Sequence, residues 1–540
     1  MCGRDDRVTG YLKTADMNPL ASTLWMPSAA DLAGFSPELV LIGTIIAVLV
    51  IPLMVRRSAR LTATVAAIGA VLMAMATVSV ARSTVFGVGG LSPSPAAPML
   101  LVDHLSLFFK MLLALFLAAV IMLWVIGDKF RDEDSPEFFV LLLGSALGMA
   151  LMVSTVNLLM LVIAMELASL PSYVLAGFFK RNRIGAEASI KYVVFGAVAS
   201  AAMIYGISLL YGLYGTLDIP TLARQIGQGI PGHSSGLLLA VALMGLCVGL
   251  GFKISAVPLH FWCPDVFEGA PIEVTTWLSV ASKGAGLAAL LRVVFGLAHP
   301  AVDPDTVRAV QSFLEPMSVS VGILAAVTCT VGNLAAYRQA SVKRMLAYSS
   351  VAHAGYMLMA AAILTSSTNA GVSAVVAYLT VYLFMNLGAF GCVALVYWAT
   401  GSESADAFRG LRRRSPWLAV AMAGCLFSLI GLPPFGGFIA KFKLLWALGE
   451  ASLWWLVVVA VVNTLFSLYY YARLVWVMFF EDDGQPVLRA PAAGQLLLMV
   501  CAVVLLLTGT VLAPWLLGQS DAYADKLYQP VTAVLRATAP

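Results

Sequence analysis

Charged side chains are scarce in this sequence: 11% of its 540 residues are Asp, Glu, Lys or Arg, and 61% are hydrophobic. Soluble domains carry about a quarter charged and about half apolar residues, so this composition excludes an ordinary soluble enzyme. Apolar runs of roughly 20 residues, the length that crosses a bilayer core, recur along almost the whole chain. The sequence therefore predicts an all-α polytopic membrane protein surrounded by lipid.

Motifs for cofactors, nucleotides and metals are missing as well. The seven cysteines, at positions 2, 247, 263, 329, 392, 425 and 501, form no Cys-x-x-Cys pair, and most lie in apolar runs as buried small hydrophobes. Neither a Gly-x-Gly-x-x-Gly motif nor a Walker loop occurs, and the five histidines lack metal-ligand spacing. We therefore expect no cofactor or metal on this chain, and no nucleic acid partner.

Fourteen transmembrane helices are predicted from the apolar runs. The spans are 39–55, 61–81, 104–126, 138–156, 158–178, 189–213, 237–263, 272–297, 318–337, 342–364, 372–398, 416–448, 453–480 and 494–518. Residues 1–38 precede them without the pattern of a secretory signal, and residues 519–540 form a tail. Met1, Met17 and Met26 all stay open as the start residue.

Basic residues in alternate loops predict the orientation, because short loops rich in Lys and Arg stay on the cytoplasmic side. The basic loops contain Arg56, Arg57, Arg60, Lys129, Arg131, Lys180, Arg181, Arg183, Arg338, Lys343, Arg344, Arg409, Arg412, Arg413 and Arg414. The intervening loops hold only Arg82, Arg224 and Arg308. Both termini are therefore predicted to face away from the cytoplasm.

Several charged residues lie deep within predicted spans, where each costs about 3 kcal/mol on insertion scales. They are Glu166, Lys253, Lys283 and Lys441. The buried bases outnumber the buried acids on this count, so permanent pairing cannot satisfy every lysine. Because desolvation disfavours the charged form, an unpaired buried lysine readily exchanges its proton. A proton-handling role is favoured over a packing role, above all for Glu166, Lys253 and Lys283.

Other polar residues leave alternatives open. Lys191 follows Glu187 by four residues, so a local ion pair competes with a relay role. His260 and His353 titrate near neutrality when unperturbed and are possible relays, although each also fits a core histidine.

A structural explanation is the simpler one for four further basic residues. Lys110 and Lys443 are interpreted as interfacial or loosely hydrated, and Arg292 and Arg473 as side chains that reach the bilayer surface from span ends.

Prolines interrupt two of the spans. Pro258 follows Lys253 by five residues, and Pro433 with Pro434 precedes Lys441, so both helices are predicted to break there. Unwound backbone survives in lipid only where protein or water satisfies it. The interrupted spans are the seventh and the twelfth, which suggests two inverted five-helix repeats, spans 4–8 (138–297) and 9–13 (318–480), after spans 1–3 (39–126).

Longer stretches resemble a known family. MELASLPSYVL, EASIKYVVFGAVASA, FKISAVPLHFWCPDVFEGAP, SVASKG, KRMLAYSSVAHAGYML and GLPPFGGFIAKF, in this order between about residues 100 and 480, resemble the antiporter-like membrane subunits of proton-pumping NADH-quinone oxidoreductase, respiratory complex I. PDVFEGAP and a lysine at position 441 make the chain most similar to subunit N. By resemblance, Glu166, Lys253, Lys283 and Lys441 match the family's buried glutamate and three buried lysines.

The resemblance implies a proton-translocating subunit of the bacterial inner membrane. NADH, FMN, iron-sulfur clusters and quinone are then expected on partner subunits, with subunits M and K as neighbours. Two alternatives are a subunit of a multisubunit cation/proton antiporter and a structural subunit whose buried charges only hold helices together. The EGAP and IKYVVFGA stretches disfavour the first, and the excess of buried bases disfavours the second.

Overall fold

The computed structural model describes residues 29–55, 58–83, 99–127, 134–179, 182–228, 235–298, 304–363, 368–481, 487–488 and 490–525. Most of these residues are helical, with three isolated β-bridges and no longer strand among them. The predicted all-α fold is confirmed. Most of the predicted segment 1–38, and residues 526–540 of the tail, lie outside the described residues.

The helices follow one another as α1 (Ala29–Gly34), α2 (Ser36–Met54), α3 (Ala59–Arg82), α4 (His104–Gly127), α5 (Ser135–Ser154), α6 (Leu158–Ala176), α7 (Arg183–Tyr214), α8 (Ile219–Gly227), α9 (Ser235–Ile254), α10 (Trp262–Gly269), α11 (Ile272–Trp277), α12 (Lys283–Ala298), α13 (Pro304–Ala336), α14 (Val342–Ala362), α15 (Thr368–Thr400), α16 (Leu411–Arg414), α17 (Pro416–Ile430), α18 (Gly436–Glu450), α19 (Trp454–Phe479), α20 (Ala492–Gly509) and α21 (Ala513–Asp525). A π-helical turn, Leu278–Ser282, joins α11 to α12.

Twelve helices in the described part of the chain are long and apolar enough to cross a membrane, which confirms a polytopic protein. The predicted spans 342–364 and 416–448 are not among them. The first corresponds to α14, and the second is divided into α17 and α18. The total of fourteen spans therefore stays a prediction, as do the two inverted repeats.

Side-chain caps explain where several helices begin. The Asn157 side chain accepts hydrogen bonds from the first turn of α6, and Asn182, Asp218 and Ser341 cap α7, α8 and α14 in the same way. A cap satisfies amide groups that a helix cannot pair internally, and it contributes about 1 kcal/mol. Gly215 ends α7 with φ of 66°, a conformation that suits glycine.

Helix packing places α14 at the centre of the molecule. This helix packs along α13 and contacts α10, α12, α15 and α18. The long helix α15 lies beside it and packs against α17, α18, α20 and α21. The segment from α11 to α12 is buried along its whole hydrophobic stretch, Ile272–Val294. Polar residues on α12 and α14 are therefore shielded from lipid by other helices.

Two basic residues lie in places that the sequence did not predict. Arg292 is only 7% exposed and donates to both carboxylate oxygens of Asp103, at 2.7 and 3.0 Å, and to the Val153 carbonyl. Lys110 is buried and pairs with Glu38 at 2.7 Å. The predictions of a surface-reaching Arg292 and a loosely hydrated Lys110 were wrong, because each side chain finds a carboxylate on a neighbouring segment.

These pairs also correct the count of buried acids. Asp103 and Glu38 are each 1% exposed, and Glu273 and Asp218 are buried as well, at 3% and 6%. Glu166, the single acid counted from the sequence, is only partly buried. The other two interpretations agree with the structure: Arg473 is exposed, and Lys443 pairs near the surface with Asp521 at 2.7 Å.

Arg292→Leu should destabilise the assembled protein by about 3–5 kcal/mol, since it leaves the buried Asp103 carboxylate without a positive partner. The double variant Arg292→Leu with Asp103→Leu should recover most of that loss, because no unpaired charge is left. Blue-native gels after graded heating in mild detergent measure both. Equal stability of the single and double variants would contradict a buried ion pair.

Candidate functional site

The first helix break separates α9 from α10. Residues 255–261, which include Pro258, are not α-helical, and Ser255 has φ of 65°. The freed backbone is satisfied by protein groups: the Val257 amide donates to Thr328 Oγ1 of α13 at 3.0 Å, and the Trp262 indole donates to the Phe252 carbonyl at 3.1 Å. This burial within protein is what the bilayer requires of unwound backbone.

The second break separates α17 from α18 and contains Pro433 and Pro434. Gly431 ends α17 with φ of 87°, and the Gly437 amide donates to Ser428 Oγ at 3.0 Å. The peptide bonds before Pro258 and Pro434 are both cis. Each break leaves a helix C-terminus inside the protein, and its last carbonyl groups need partners other than the amides of their own helix.

Lys441 occupies the helix end at the second break. Its ammonium group donates to the carbonyl oxygens of Leu429 and Ile430, at 3.1 and 2.9 Å, and lies 4.6 Å from the centre of the Tyr356 ring. A cation at a helix C-terminus is favoured by the helix dipole, and an aromatic face adds cation–π attraction. The break therefore provides a binding place for one positive charge.

Lys253 lies in the last turn of α9, just before the first break, and its side chain is fully buried. The ammonium group donates to Ser169 Oγ at 2.9 Å and interacts electrostatically with Glu166. Glu166 and Ser169 are three residues apart on α6, so one helix face presents both. Ser200 of α7 donates a hydrogen bond to Glu166. The structure thus brings Lys253 within electrostatic range of Glu166, while the Ser169 hydroxyl accepts the hydrogen bond of the lysine.

Lys283 follows the π-helical turn and is also fully buried. It donates to Ser350 Oγ of α14 at 2.6 Å, and its Nζ lies 3.5 Å from Cys263 Sγ. The ring of Phe267 is 5.4 Å away. Insertions of π geometry often occur at functional sites. Here the turn directly precedes the lysine.

Helix α14 connects Lys283 with Lys441. Ser350, His353 and Tyr356 recur every three residues, about 4.5 Å of helix rise per step. Ser350 accepts from Lys283, and the Tyr356 ring lies against Lys441. Between them, His353 Nδ1 is 2.7 Å from the Tyr378 hydroxyl. The structure therefore places His353 between the two lysines.

His260 and Lys191 lie apart from this line. His260 lies in the first break, where its Nδ1 atom is buried and has no hydrogen-bond partner among the described residues. Lys191 is 38% exposed and pairs with Glu187 at 2.7 Å and Asp265 at 2.8 Å. The ion pair with Glu187 is therefore present, while a relay role for either residue stays a prediction.

None of the described contacts of Lys253, Lys283 and Lys441 is to a carboxylate. Their partners are hydroxyl, thiol and carbonyl groups, which sequence reasoning did not name. Ser350 and Tyr356 could have been found from the sequence, because they share a three-residue spacing with His353 in YSSVAHAGYML. No such pattern in the sequence pointed to Ser169 or Cys263.

No group of three metal-ligating side chains occurs in the described residues, and the expected absence of cofactors stays a prediction.

This geometry defines a class: a polytopic membrane protein in which two interrupted helices and three buried lysines share one interior. The family model described as NADH:quinone oxidoreductase/Mrp antiporter, transmembrane region, matches residues 155–467. The chain belongs to this family of membrane proteins, which confirms the resemblance seen in the sequence.

Among relatives, NADH-quinone oxidoreductase subunit N of Anaeromyxobacter sp. (strain Fw109-5) is 39% identical and covers 92% of this chain and 96% of that protein. F(420)H(2) dehydrogenase subunit N of Methanosarcina mazei is 39% identical over 75% of this chain and 81% of its own length.

Chains in solved membrane complexes have folds similar to that of this chain. A chain of respiratory complex I from Thermus thermophilus with bound aureothin has a TM-score of 0.71 and 31% identity, covering 89% of this chain and 98% of that one. A chain of the Mrp complex from Dietzia sp. DQ12-45-1b has a TM-score of 0.77 at 21% identity, covering 94% and 100%, and shows the fold alone.

Gly437→Ala should disrupt the second break, because an added Cβ would overlap the Ser428 carbonyl. Overpacking of this kind costs about 1–3 kcal/mol and would displace the turn that carries Lys441. Gly212→Ala in α7 is the matched control, since nothing lies within 4 Å of its added Cβ. Heat stability of the detergent-solubilised assembly should fall only for Gly437→Ala, and equal stability of the two variants would argue against a tightly packed break.

Proposed function

We propose that this chain is the proton-translocating membrane subunit N of an NADH-quinone oxidoreductase, in which quinone reduction on other subunits drives protons through the buried row. The observation that carries this proposal is the helix α14 line, which joins two buried lysines through Ser350, His353 and Tyr356. Relatives of nearly the same length that are named subunit N support it.

Proton affinity at Lys253 depends on Glu166. An ionised carboxylate nearby stabilises the ammonium form, and separating the two charges favours loss of the proton. Because Lys253 donates to Ser169 rather than directly to the carboxylate, the pair is not locked together. A small movement of the unwound segment after Lys253 is then enough to change the charge interaction.

The released proton passes to Lys283 and then along α14 to Lys441, which acts as the gate on the exit side. Each lysine is held by groups that accept a hydrogen bond without neutralising its charge. The ammonium is therefore stabilised less than it would be in an ion pair, and the lysine can give up its proton. His260 near the first break serves as an additional relay.

Partner subunits supply the redox energy. NADH, FMN, iron-sulfur clusters and quinone are bound by those partners, and subunits M and K lie on either side of this one in the bacterial inner membrane. Both termini face away from the cytoplasm, as the basic loops indicate. The relative that is named as an F(420)H(2) dehydrogenase subunit shows that similar chains occur with another electron donor.

Two other functions fit less well. A multisubunit cation/proton antiporter is favoured by the fold of the Mrp complex, yet the relatives at 39 and 40% identity are named subunit N. A purely structural role fits the ion pairs of Arg292 and Lys110. It does not explain lysines that are buried without a carboxylate contact.

Lys253→Ala should leave the complex assembled while quinone-linked proton pumping and coupled turnover fall by at least about tenfold, since losing a proton-transfer group typically lowers a rate by about 10²–10⁴-fold. The measurement is pumping and NADH oxidation in inverted membrane vesicles, with assembly checked on blue-native gels.

Lys443→Ala is the matched control, because this lysine pairs with an exposed acid and such pairs contribute about 0–1 kcal/mol. Its activity should stay near that of the wild type. Normal pumping by an assembled Lys253→Ala complex would show that Lys253 is only a packing residue.

A further inference from the structure

Arg82 lies at the face of the protein that is opposite to the basic loops. It is the last residue of α3 and is exposed, and its guanidinium group has no ion-pair or hydrogen-bond partner among the described residues. Basic residues are uncommon on this face, because membrane proteins concentrate them in the other set of loops. A guanidinium group binds carboxylate or phosphate through paired hydrogen bonds. Arg82 therefore offers a positive charge that the described part of the chain does not use.

A polar cavity of about 290 Å³ lies beside Arg82, between α3, α4 and α21. Its polar lining consists of Arg82, Thr77, His104, Gln519 and Tyr523, and no acidic residue is among the described residues that line it. The rings of His104 and Tyr523 pack edge to face, with their centres 6.2 Å apart. Guanidinium, imidazole, carboxamide and phenol groups can all donate hydrogen bonds. The cavity therefore suits an anion with several acceptor oxygens, such as phosphate.

An apolar groove of about 200 Å³ adjoins this cavity and extends further along the membrane-spanning part of α4. The cavity and the groove share Gln519 and Tyr523, and the groove adds mainly apolar side chains of α4, α15 and α21. Their combined lining extends along α4 from His104 to Leu115, about 16 Å of helix rise. Leu115 and Trp515 are 53% and 58% exposed, so the groove opens to the surroundings of the protein.

A polar cavity at the end of the spans and an apolar groove beside it match the two parts of a phospholipid. Free inorganic phosphate would use the cavity alone, and the groove would then have no role. A transmembrane helix of a partner subunit would cover the groove, but it would also need a carboxylate placed to meet Arg82. A phospholipid fits both parts at once, because its phosphate meets the hydrogen-bond donors and its acyl chain covers the exposed apolar side chains.

We propose that the cleft between α3, α4 and α21 binds one anionic phospholipid. Its phosphate group lies against Arg82 and His104, and one acyl chain lies in the groove along Leu115 and Trp515. The lipid connects the end of α3 with α21, the helix that packs beside α15. This inference does not depend on how protons move between the lysines, and its test does not measure pumping.

The test uses the whole complex, purified in mild detergent and washed free of loosely bound lipid. Phosphatidylglycerol with a photoreactive group at the end of one acyl chain is added, and the labelled peptides of this chain are identified by mass spectrometry. Phosphatidylcholine with the same chains is the comparison, since no described acidic residue lines the cavity to meet its ammonium group. We expect labels on α4 and α21, and roughly fivefold more of them from phosphatidylglycerol, the effect of one basic residue on an anionic lipid. Equal labelling by the two lipids would overturn the proposal.

Arg82→Gln removes the charge of the cavity at an exposed position, so the fold should be kept. Labelling of α4 and α21 by phosphatidylglycerol should fall roughly fivefold, to the level of phosphatidylcholine. Arg60→Gln is the matched control, because Arg60 is an exposed arginine at the opposite end of the same helix. Labelling that is unchanged in Arg82→Gln, or that falls equally in both variants, would contradict a phosphate site at Arg82.

Leu115→Trp tests the groove, because a larger side chain at this exposed position should fill it and exclude the acyl chain. Met122→Trp is the control: Met122 is 42% exposed, lies seven residues further along the same face of α4 and lines neither the cavity nor the groove. Labelling should be lost in the first variant and kept in the second. Unchanged labelling of Leu115→Trp would overturn the proposal. Failure of this variant alone to assemble on blue-native gels would also overturn it, by showing that a partner subunit covers the groove.

Competition distinguishes a lipid from a free anion. Unlabelled phosphatidylglycerol should displace the label, whereas inorganic phosphate at the same concentration should not, because it gains nothing from the apolar groove. Equal displacement by inorganic phosphate would show a simple anion site and would exclude the lipid.

Discussion

The cost of holding an ammonium group away from water is the constraint on which the rest of this structure depends. Lys253, Lys283 and Lys441 are each at most 7% exposed, so protein groups must replace their hydration. The second helix break supplies two carbonyl oxygens to Lys441, and helices α6 and α14 supply hydroxyl groups to the other two lysines. The helix interruptions and the central position of α14 can be understood as consequences of this need.

The protein holds buried charge in two different ways. Arg292 and Asp103 form a bidentate pair that neither partner can leave without a large penalty, and this pair ties α12 to the start of α4. Lys253, Lys283 and Lys441 contact neutral acceptors instead, which solvate a positive charge but do not cancel it. The first arrangement fixes the scaffold, while the second, under the proposed function, lets protonation change. That proposal needs both arrangements in one interior, because exchangeable charges require a frame that does not move with them.

Much of the fold was accessible from sequence, because apolar length and proline act locally. Each predicted span coincides with a helix or a pair of helices, and the helices are interrupted around Pro258 and Pro433. The partners of the charged residues were not accessible in this way. Asp103 is 189 residues from Arg292, and Ser350 is 67 residues from Lys283. Helical periodicity indicates how deep a side chain lies, but it does not indicate which other helix faces it.

The sequence by itself therefore determined that this is an all-helical membrane protein with charged residues in its interior, because composition and run length decide what a bilayer accepts. It also located the broken helices, since proline removes a backbone hydrogen bond wherever it occurs. Only the tertiary structure decided which charges are paired and which stand among neutral groups, because that depends on how distant helices pack. Lys110 shows the difference: its sequence position suggested a hydrated surface, and Glu38 on another helix makes it part of the core.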